Sequence, residues 1–141
     1  MAQERIESIL NATKRACGLV ETYHAFDSEI LLHINAAFSV LHQLGAGPKD
    51  GFTVEDESTE WSQFMDDGPI LNLVRQYIPM SVHHDWDPPT NGTVLKSMEQ
   101  RISQLESRIS YYVDPSNDNS FFEENEETEE EAAVYSNPFA D

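Results

Sequence analysis

Basic residues are scarce in this sequence of 141 residues. Lysine and arginine together number 8 against 26 aspartates and glutamates, so the formal net charge at pH 7 is −18. Proteins that bind a phosphate backbone or an anionic lipid surface need clustered cations. The composition therefore nearly excludes DNA-binding and membrane-surface proteins.

Cysteine and long apolar runs are scarce as well. The single cysteine, Cys17, cannot form an internal disulfide, which excludes a disulfide-stapled secreted scaffold and fits a reducing cytosol. No apolar run approaches the roughly 20 residues that span a bilayer, and the N-terminal MAQERIESIL is interrupted by charge. We expect a soluble chain with no targeting segment and no membrane partner.

Recognisable catalytic motifs are also missing. The sequence has no G-x-S-x-G elbow, no P-loop and no glycine-rich dinucleotide fingerprint, and Cys17 lacks the local context of a nucleophile. The sharpest polar cluster contains His83, His84, Asp85 and Asp87. Adjacent helical residues point about 100° apart, whereas two metal ligands on one face need a spacing of three or four. We interpret the cluster as a polar helix end and expect no enzyme activity, no metal and no cofactor.

The acidic residues divide the chain into a body and a tail. Residues 113–141 hold ten acids and no base, whereas residues 1–112 hold 16 acids and all 8 bases. A segment of such charge density does not bury enough apolar surface to offset its ordering entropy. We predict a folded body over residues 1–112 and an extended acidic C-terminal arm over residues 113–141.

Helical periodicity dominates the body and predicts an all-α fold, a small bundle of about four main helices. The clearest helix has an apolar seam, Thr90 or Asn91 as its cap, and Asp114 before a proline at its end. In the second helix, Asp27 or Ser28 is the expected cap and Gly45 lies at the C′ position. The predicted helices are residues 3–17, 28–44, 69 onward and 93–112, and the seam consists of Leu95, Met98, Ile102, Leu105, Ile109 and Tyr112.

Two further features complete the predicted body. Pro69 opens the third main helix, and Pro79 should kink that helix or end it. The long loop from Gly45 to Thr59 contains turn dipeptides and a strand-like alternation at residues 52–54, and we expect it to be ordered. One or two helical turns capped by Ser58 or Thr59 follow, at Trp61 and Phe64.

The acidic arm is unusually rich in aromatic residues for a disordered segment. Two apolar clusters flank a run of glutamates at residues 123–131, and they could fill two pockets or add a strand to an exposed edge. The alternative is a solubilising tail whose aromatics are incidental. The candidate anchors are Phe121, Phe122, Val134, Tyr135, Pro138 and Phe139.

Several segments taken together resemble the head-tail connector proteins of long-tailed bacteriophages, also called adaptor or head-completion proteins. The resemblance covers about residues 5–115. The segments that show the resemblance, in chain order, are DSEILLHINAAFSVLHQLGAGPKDGF, WSQF, ILNLVRQYI and DPPTNGTVLKSMEQRISQLESRISYYVDP. The most specific are the join of the second helix to GAGPKDGF and the Asp87-Pro88-Pro89 turn before the final helix.

The resemblance implies a non-enzymatic virion subunit that lies at the head-tail interface after assembly in the host cytoplasm. It implies a ring, expected to be dodecameric, under the portal protein, which extends the DNA channel without sequence-specific DNA binding. It also implies a platform for a downstream stopper or tail-completion protein. The arm would reach the portal or a neighbouring subunit, and the candidate residues of an inter-subunit or platform loop are Pro48, Lys49, Phe52, Trp61 and Phe64.

A rival interpretation is an acidic DNA-mimic inhibitor of a nucleic-acid enzyme. Such a protein presents carboxylates at phosphate-like spacing on a rigid body. Here half of the body's 16 acids are offset by its 8 bases, which weighs against this alternative.

Overall fold

The computed structural model describes residues 7–115 of the chain, and this range contains five helices. No strand forms in this range; its one isolated bridge is antiparallel and joins Ser8 to Glu60. The predicted all-α fold, with four main helices and a short extra one, is confirmed. The helices are α1 (Ile9–Ala16), α2 (Asp27–Gln43), α3 (Trp61–Phe64), α4 (Pro69–Trp86) and α5 (Gly92–Val113).

Helix α4 lies at the centre of the bundle, because α1, α2 and α5 all pack against it. Helices α1 and α2 also contact each other, whereas α5 packs chiefly against α4. This arrangement leaves much of the surface of α5 without a partner helix, and only Leu105 and Ile109 of its side chains are buried. The buried residues of α4 are Leu71, Leu73, Val74, Tyr77, Ile78 and Val82.

Helix α1 begins later than the predicted residue 3. Ser8 is its N-cap, and the Ser8 hydroxyl accepts a hydrogen bond from the Asn11 backbone N–H at 3.2 Å. Glu7 and Ser8, just before the helix, pair with the loop instead. The Ile9 N–H donates to the Thr59 carbonyl at 3.1 Å, and the Trp61 N–H donates to the Glu7 carbonyl at 3.0 Å.

Helix α2 confirms the predicted end but not the predicted cap. Gly45 occupies the C′ position with a φ of 90°. Its N–H donates to the His42 carbonyl, and the Ala46 N–H donates to the Leu41 carbonyl. These two bonds form a Schellman motif. At the start, Phe26 is the N-cap residue and makes no side-chain capping bond. The prediction of an Asp27 or Ser28 cap was wrong because α2 already begins at Asp27.

Helix α4 begins at Pro69 as predicted and does not end at Pro79. Proline removes one backbone hydrogen bond, but the turns beyond it are held by packing. Val82 is fully buried, and the Trp86 ring meets the Phe26 ring edge-on at a centroid distance of 5.4 Å.

Of the two predicted cap candidates of helix α5, Thr90 and Asn91, Asn91 is the N-cap. Its side chain accepts from the backbone N–H groups of Thr93 at 2.9 Å and Val94 at 3.1 Å. The predicted seam is correct at Ile102, Leu105 and Ile109, which lie in the core or pack against it. Leu95 and Met98 are only half-buried and lie outside that core cluster. Tyr112 is exposed, and Val113 packs against the core instead.

Candidate functional site

The side chain of one asparagine on α2 binds the long loop between α2 and α3. The Asn35 side chain on α2 donates to the Val54 carbonyl at 3.1 Å and accepts from the Val54 N–H at 2.8 Å. These two bonds satisfy the Val54 backbone as a neighbouring strand would. The prediction of an ordered loop is confirmed, but the predicted strand at residues 52–54 is wrong because a side chain takes the place of a partner strand.

Three aromatic rings pack the loop onto the body. Phe38 of α2, Phe52 of the loop and Phe64 of α3 contact one another at centroid distances of 4.8 to 5.1 Å. Gly47 allows this packing, because it has φ of 91° and a Cβ there would collide with the Phe64 ring.

The candidate platform residues divide between the core and the surface. Trp61 is 1% exposed and lies under the Arg75 guanidinium, 5.5 Å from the ring centroid, and Phe64 is also buried. Phe52 and Pro48 are half-buried, and Lys49 is exposed. The prediction that Ser58 or Thr59 caps the short helix α3 was wrong, because Glu60 is its N-cap. The Glu60 backbone N–H donates to Gln63 Oε1 at 2.7 Å. The aromatic residues thus shape the loop from within, and its contact with other subunits stays a prediction.

The candidate anchors of the arm lie outside the described residues, and so does most of the predicted arm. They are Phe121, Phe122, Val134, Tyr135, Pro138 and Phe139. The boundary predicted after residue 112 likewise stays a prediction, while α5 runs to Val113.

The polar cluster at the end of α4 joins α4 to α5. His84 donates from Nδ1 to Asp85 at 2.9 Å and from Nε2 to Glu99 of α5 at 2.8 Å. The hydrogen bonds to Glu99 and Asp85 raise the pKa of His84, because both favour the charged ring. His83 faces a different surface beside Met80 and Met98. Over residues 7–115, no three His, Cys, Asp or Glu side chains converge as metal ligands.

Cys17 is buried, and its surroundings oppose the thiolate. Burial first, and the Asp87 carboxylate second, raise the pKa of the Cys17 thiol to about 11. The thiolate is the nucleophilic form of cysteine. Cys17 therefore behaves as a core residue at neutral pH.

Charge is segregated around α5, which the sequence reasoning missed. Both carboxylates of the helix face α4: Glu99 binds His84, and Glu106 accepts from the Tyr77 hydroxyl at 2.8 Å. Its cations Lys96, Arg101 and Arg108 are exposed, and the described part of the chain offers them no ion pair. The signal was present in the spacing, since Arg101 and Arg108 are seven residues apart and share a face.

A second polar feature is a groove of about 510 Å³ between the start of α2 and the loop. Beside it, the fully buried Lys14 reaches Asp27 Oδ1 at 2.8 Å and the Glu21 carbonyl at 3.0 Å, and His24 donates to the other Asp27 oxygen at 2.8 Å. Partial burial acts to raise the pKa of Asp27, but these hydrogen bonds outweigh it and lower that pKa. We call this feature the acidic groove; its lining residues are Leu10, His24, Asp27, Ser28, Leu31, Asp56, Glu57 and Ser58.

The family described as phage connector protein matches this chain over residues 9–116, a range that contains all five helices. The chain belongs to the phage connector protein family. Searches of curated proteins and of solved structures returned no significant match. The connector family supports a role in joining the head of a phage to its tail, at the head-tail interface of the virion. This outcome confirms the family resemblance drawn from the sequence.

The family assignment agrees with the character of the site. Connectors form a structural family, and the family implies association with portal and tail proteins. In the described range of this connector, no helix is both long and apolar enough to cross a membrane. Its prominent surface features are an ordered loop, an acidic groove and a basic helix face, all of which suit protein contacts.

Proposed function

We propose that this connector subunit assembles into a ring, expected to be dodecameric, beneath the portal of a filled capsid. The observation that carries the proposal is the family match, which extends over the whole helical body from residue 9 to residue 116. In this position the ring extends the DNA channel and presents a platform to a stopper or tail-completion protein. The subunit has no catalytic role and resides in the host cytoplasm before assembly.

The charge of the chain suits a conduit for DNA. With a formal net charge of −18 per subunit, the ring repels the phosphate backbone, whereas a basic lumen would retain it and slow its passage. The same charge makes subunits repel one another at low salt. Purified protein should therefore remain a monomer or small oligomer until a portal organises it.

The acidic arm is the proposed link to the portal or to the adjacent subunit. Its two aromatic clusters are separated by a glutamate run, so both could dock while the charges stay in water. The ordered loop at residues 45–59 is the proposed contact with the neighbouring subunit or the tail side.

The direct test uses filled capsids that carry a portal but were assembled without this chain. After purified protein is added, electron microscopy should show a ring with a central channel at the portal vertex. Capsids without extra density at that vertex would refute the proposal. A DNA-mimic inhibitor would leave the capsids bare and instead block a nuclease, which a cleavage assay measures.

A further inference from the structure

One face of α5 forms an exposed stripe of basic and apolar side chains, which we call the basic stripe: Val94, Arg101, Arg108 and Tyr112. The first three are seven residues apart, and Tyr112 follows Arg108 by four, so all lie along one side of the helix. Val94 is 51% exposed and Tyr112 is 47% exposed. Arginine and tyrosine are, with tryptophan, enriched among the residues that anchor protein interfaces.

The packing of α5 on α4 leaves the basic stripe exposed and without carboxylate partners. Glu99 and Glu106 are held by His84 and Tyr77 of α4, so the carboxylates that could neutralise the arginines lie on another side of the helix. Neither Arg101 nor Arg108 forms an ion pair with any residue between 7 and 115. In a chain with a net charge of −18, this face is positively charged and open to solvent.

The acidic groove has the complementary character. Leu10 and Leu31 provide an apolar floor, and Asp56 and Glu57 stand exposed at its rim. The Glu57 side chain makes no ion pair within the described range. The groove therefore offers free carboxylate charge beside an apolar surface, which suits a guanidinium next to a tyrosine ring.

The two surfaces belong to different sides of the subunit. The groove is formed by α1, α2 and the loop, whereas the basic stripe is on α5, which packs chiefly against α4. Two different complementary patches on one chain are the requirement for a heterologous, head-to-tail contact, which closes into a ring when the rotation fits.

We infer that the basic stripe of one subunit docks on the acidic groove of a second copy of this chain, and that this contact joins neighbours in the ring. The inference rests on the proposed function, since it supplies the contact that the ring needs. Each exposed ion pair contributes little to the free energy of association. The contact is therefore weak in solution and takes effect when a portal brings subunits together.

The test reverses the charge on each surface separately. The stripe variant carries Arg101→Glu and Arg108→Glu. The groove variant carries Glu57→Lys at the rim and Glu55→Lys, an exposed carboxylate two residues before it. A control variant carries Lys96→Glu, Gln100→Glu and Ser103→Glu, which change the net charge as much as the stripe variant does, on another exposed side of α5. Circular dichroism verifies that every variant is folded.

The readout is the number of subunits bound to portal-bearing capsids over a range of protein concentrations. We expect each reversed variant to need about tenfold more protein than wild type for half-occupancy, because like charges face each other at every contact. The control variant should bind like wild type. An equal mixture of the stripe and groove variants should recover wild-type occupancy, because each variant then meets its opposite charge.

Several results would overturn the inference. Stripe and groove variants that fill the portal as wild type does would exclude this contact while leaving the connector role intact. A loss confined to the stripe variant, with no recovery in the mixture, would assign the stripe to another occupant, such as the glutamate run at residues 123–131. Failure of wild type itself to bind would refute the proposed function instead.

Discussion

At the scale of single residues, Lys14 is the most unusual side chain of the body. It is fully buried, and its ammonium group is satisfied by the Asp27 carboxylate and by the Glu21 carbonyl. These bonds fasten the connection between α1 and α2 and hold the wall of the acidic groove. A buried charge is tolerated only when it is paired in this way.

Replacing Lys14 therefore has a clear expected outcome. Lys14→Ala leaves Asp27 without its main partner and should lower the free energy of unfolding by about 3 kcal/mol. This value is the lower end for a buried pair, because Asp27 is partly exposed. Urea denaturation measures the change. The control is Arg15→Ala, which removes an exposed pair with Glu21 at 3.6 Å and should cost at most about 1 kcal/mol. Equal losses in the two variants would contradict the structural role of Lys14.

At the same scale, Gly47 and Gly51 form a matched pair. Both have left-handed backbone, with φ of 91° and 96°, but a Cβ at Gly47 would collide with Phe64, whereas Gly51 has open space. Gly51→Ala should cost only the backbone strain of about 1–2 kcal/mol. Gly47→Ala should destabilise the protein clearly more, because the ring cluster must also move. Thermal unfolding of both variants compares them, and similar melting temperatures would show that Phe64 adapts freely.

At the scale of elements, one polar contact between α4 and α5 depends on the protonation of His84. Both ring nitrogens face carboxylates, Asp85 and Glu99, and both nitrogens donate only when the ring is charged. The raised pKa means that the contribution to stability is complete below about pH 6.5 and is lost as pH rises through the folded-state value.

The stability of His84→Gln should differ from that of wild type in a way that depends on pH. At about pH 6 the variant should be less stable by about 0.5–1 kcal/mol, and at about pH 9 the difference should largely disappear. Chemical denaturation at each pH provides the measurement, with His83→Gln as the neighbouring control. A difference that is the same at both pH values would show that the ring acts through packing and not through charge.

At the scale of the whole molecule, the body and the arm should be separable. The apolar face of α5 ends at Val113, so truncation after Pro115 should leave the helical body folded by circular dichroism. The truncated protein should bind portal-bearing capsids more weakly, because each buried aromatic anchor contributes about 1.5–3 kcal/mol before the ordering cost. Pull-down with capsids measures the loss.

A point variant separates the anchors from the charge of the arm. Phe121→Ser with Phe122→Ser should reproduce part of the loss without changing net charge, whereas Asn117→Ser with Asn119→Ser should have no effect. If truncated protein joins portals as well as the full chain does, the arm serves only for solubility.

Local signals in the sequence predicted most of the fold. The period of the apolar residues located four main helices, Gly45 marked the end of α2, and Asn91 marked the start of α5. These signals succeed because helix formation and capping depend on residues within about four positions of one another. The order of the motifs around the loop and the Asp87-Pro88-Pro89 turn was also sufficient to predict the family.

The remaining features depend on contacts between residues that are distant in the chain. Burial of Lys14 requires Asp27 from the next helix, continuation of α4 past Pro79 requires packing of Val82 in the core, and the pairing of Tyr77 with Glu106 spans 29 residues. Helical periodicity places a side chain on a face but does not say which faces find a partner. The sequence by itself therefore determined the helices and the family. Only the tertiary structure decided that α5 turns its carboxylates toward α4 and leaves its arginines exposed, because that outcome depends on which helices pack together.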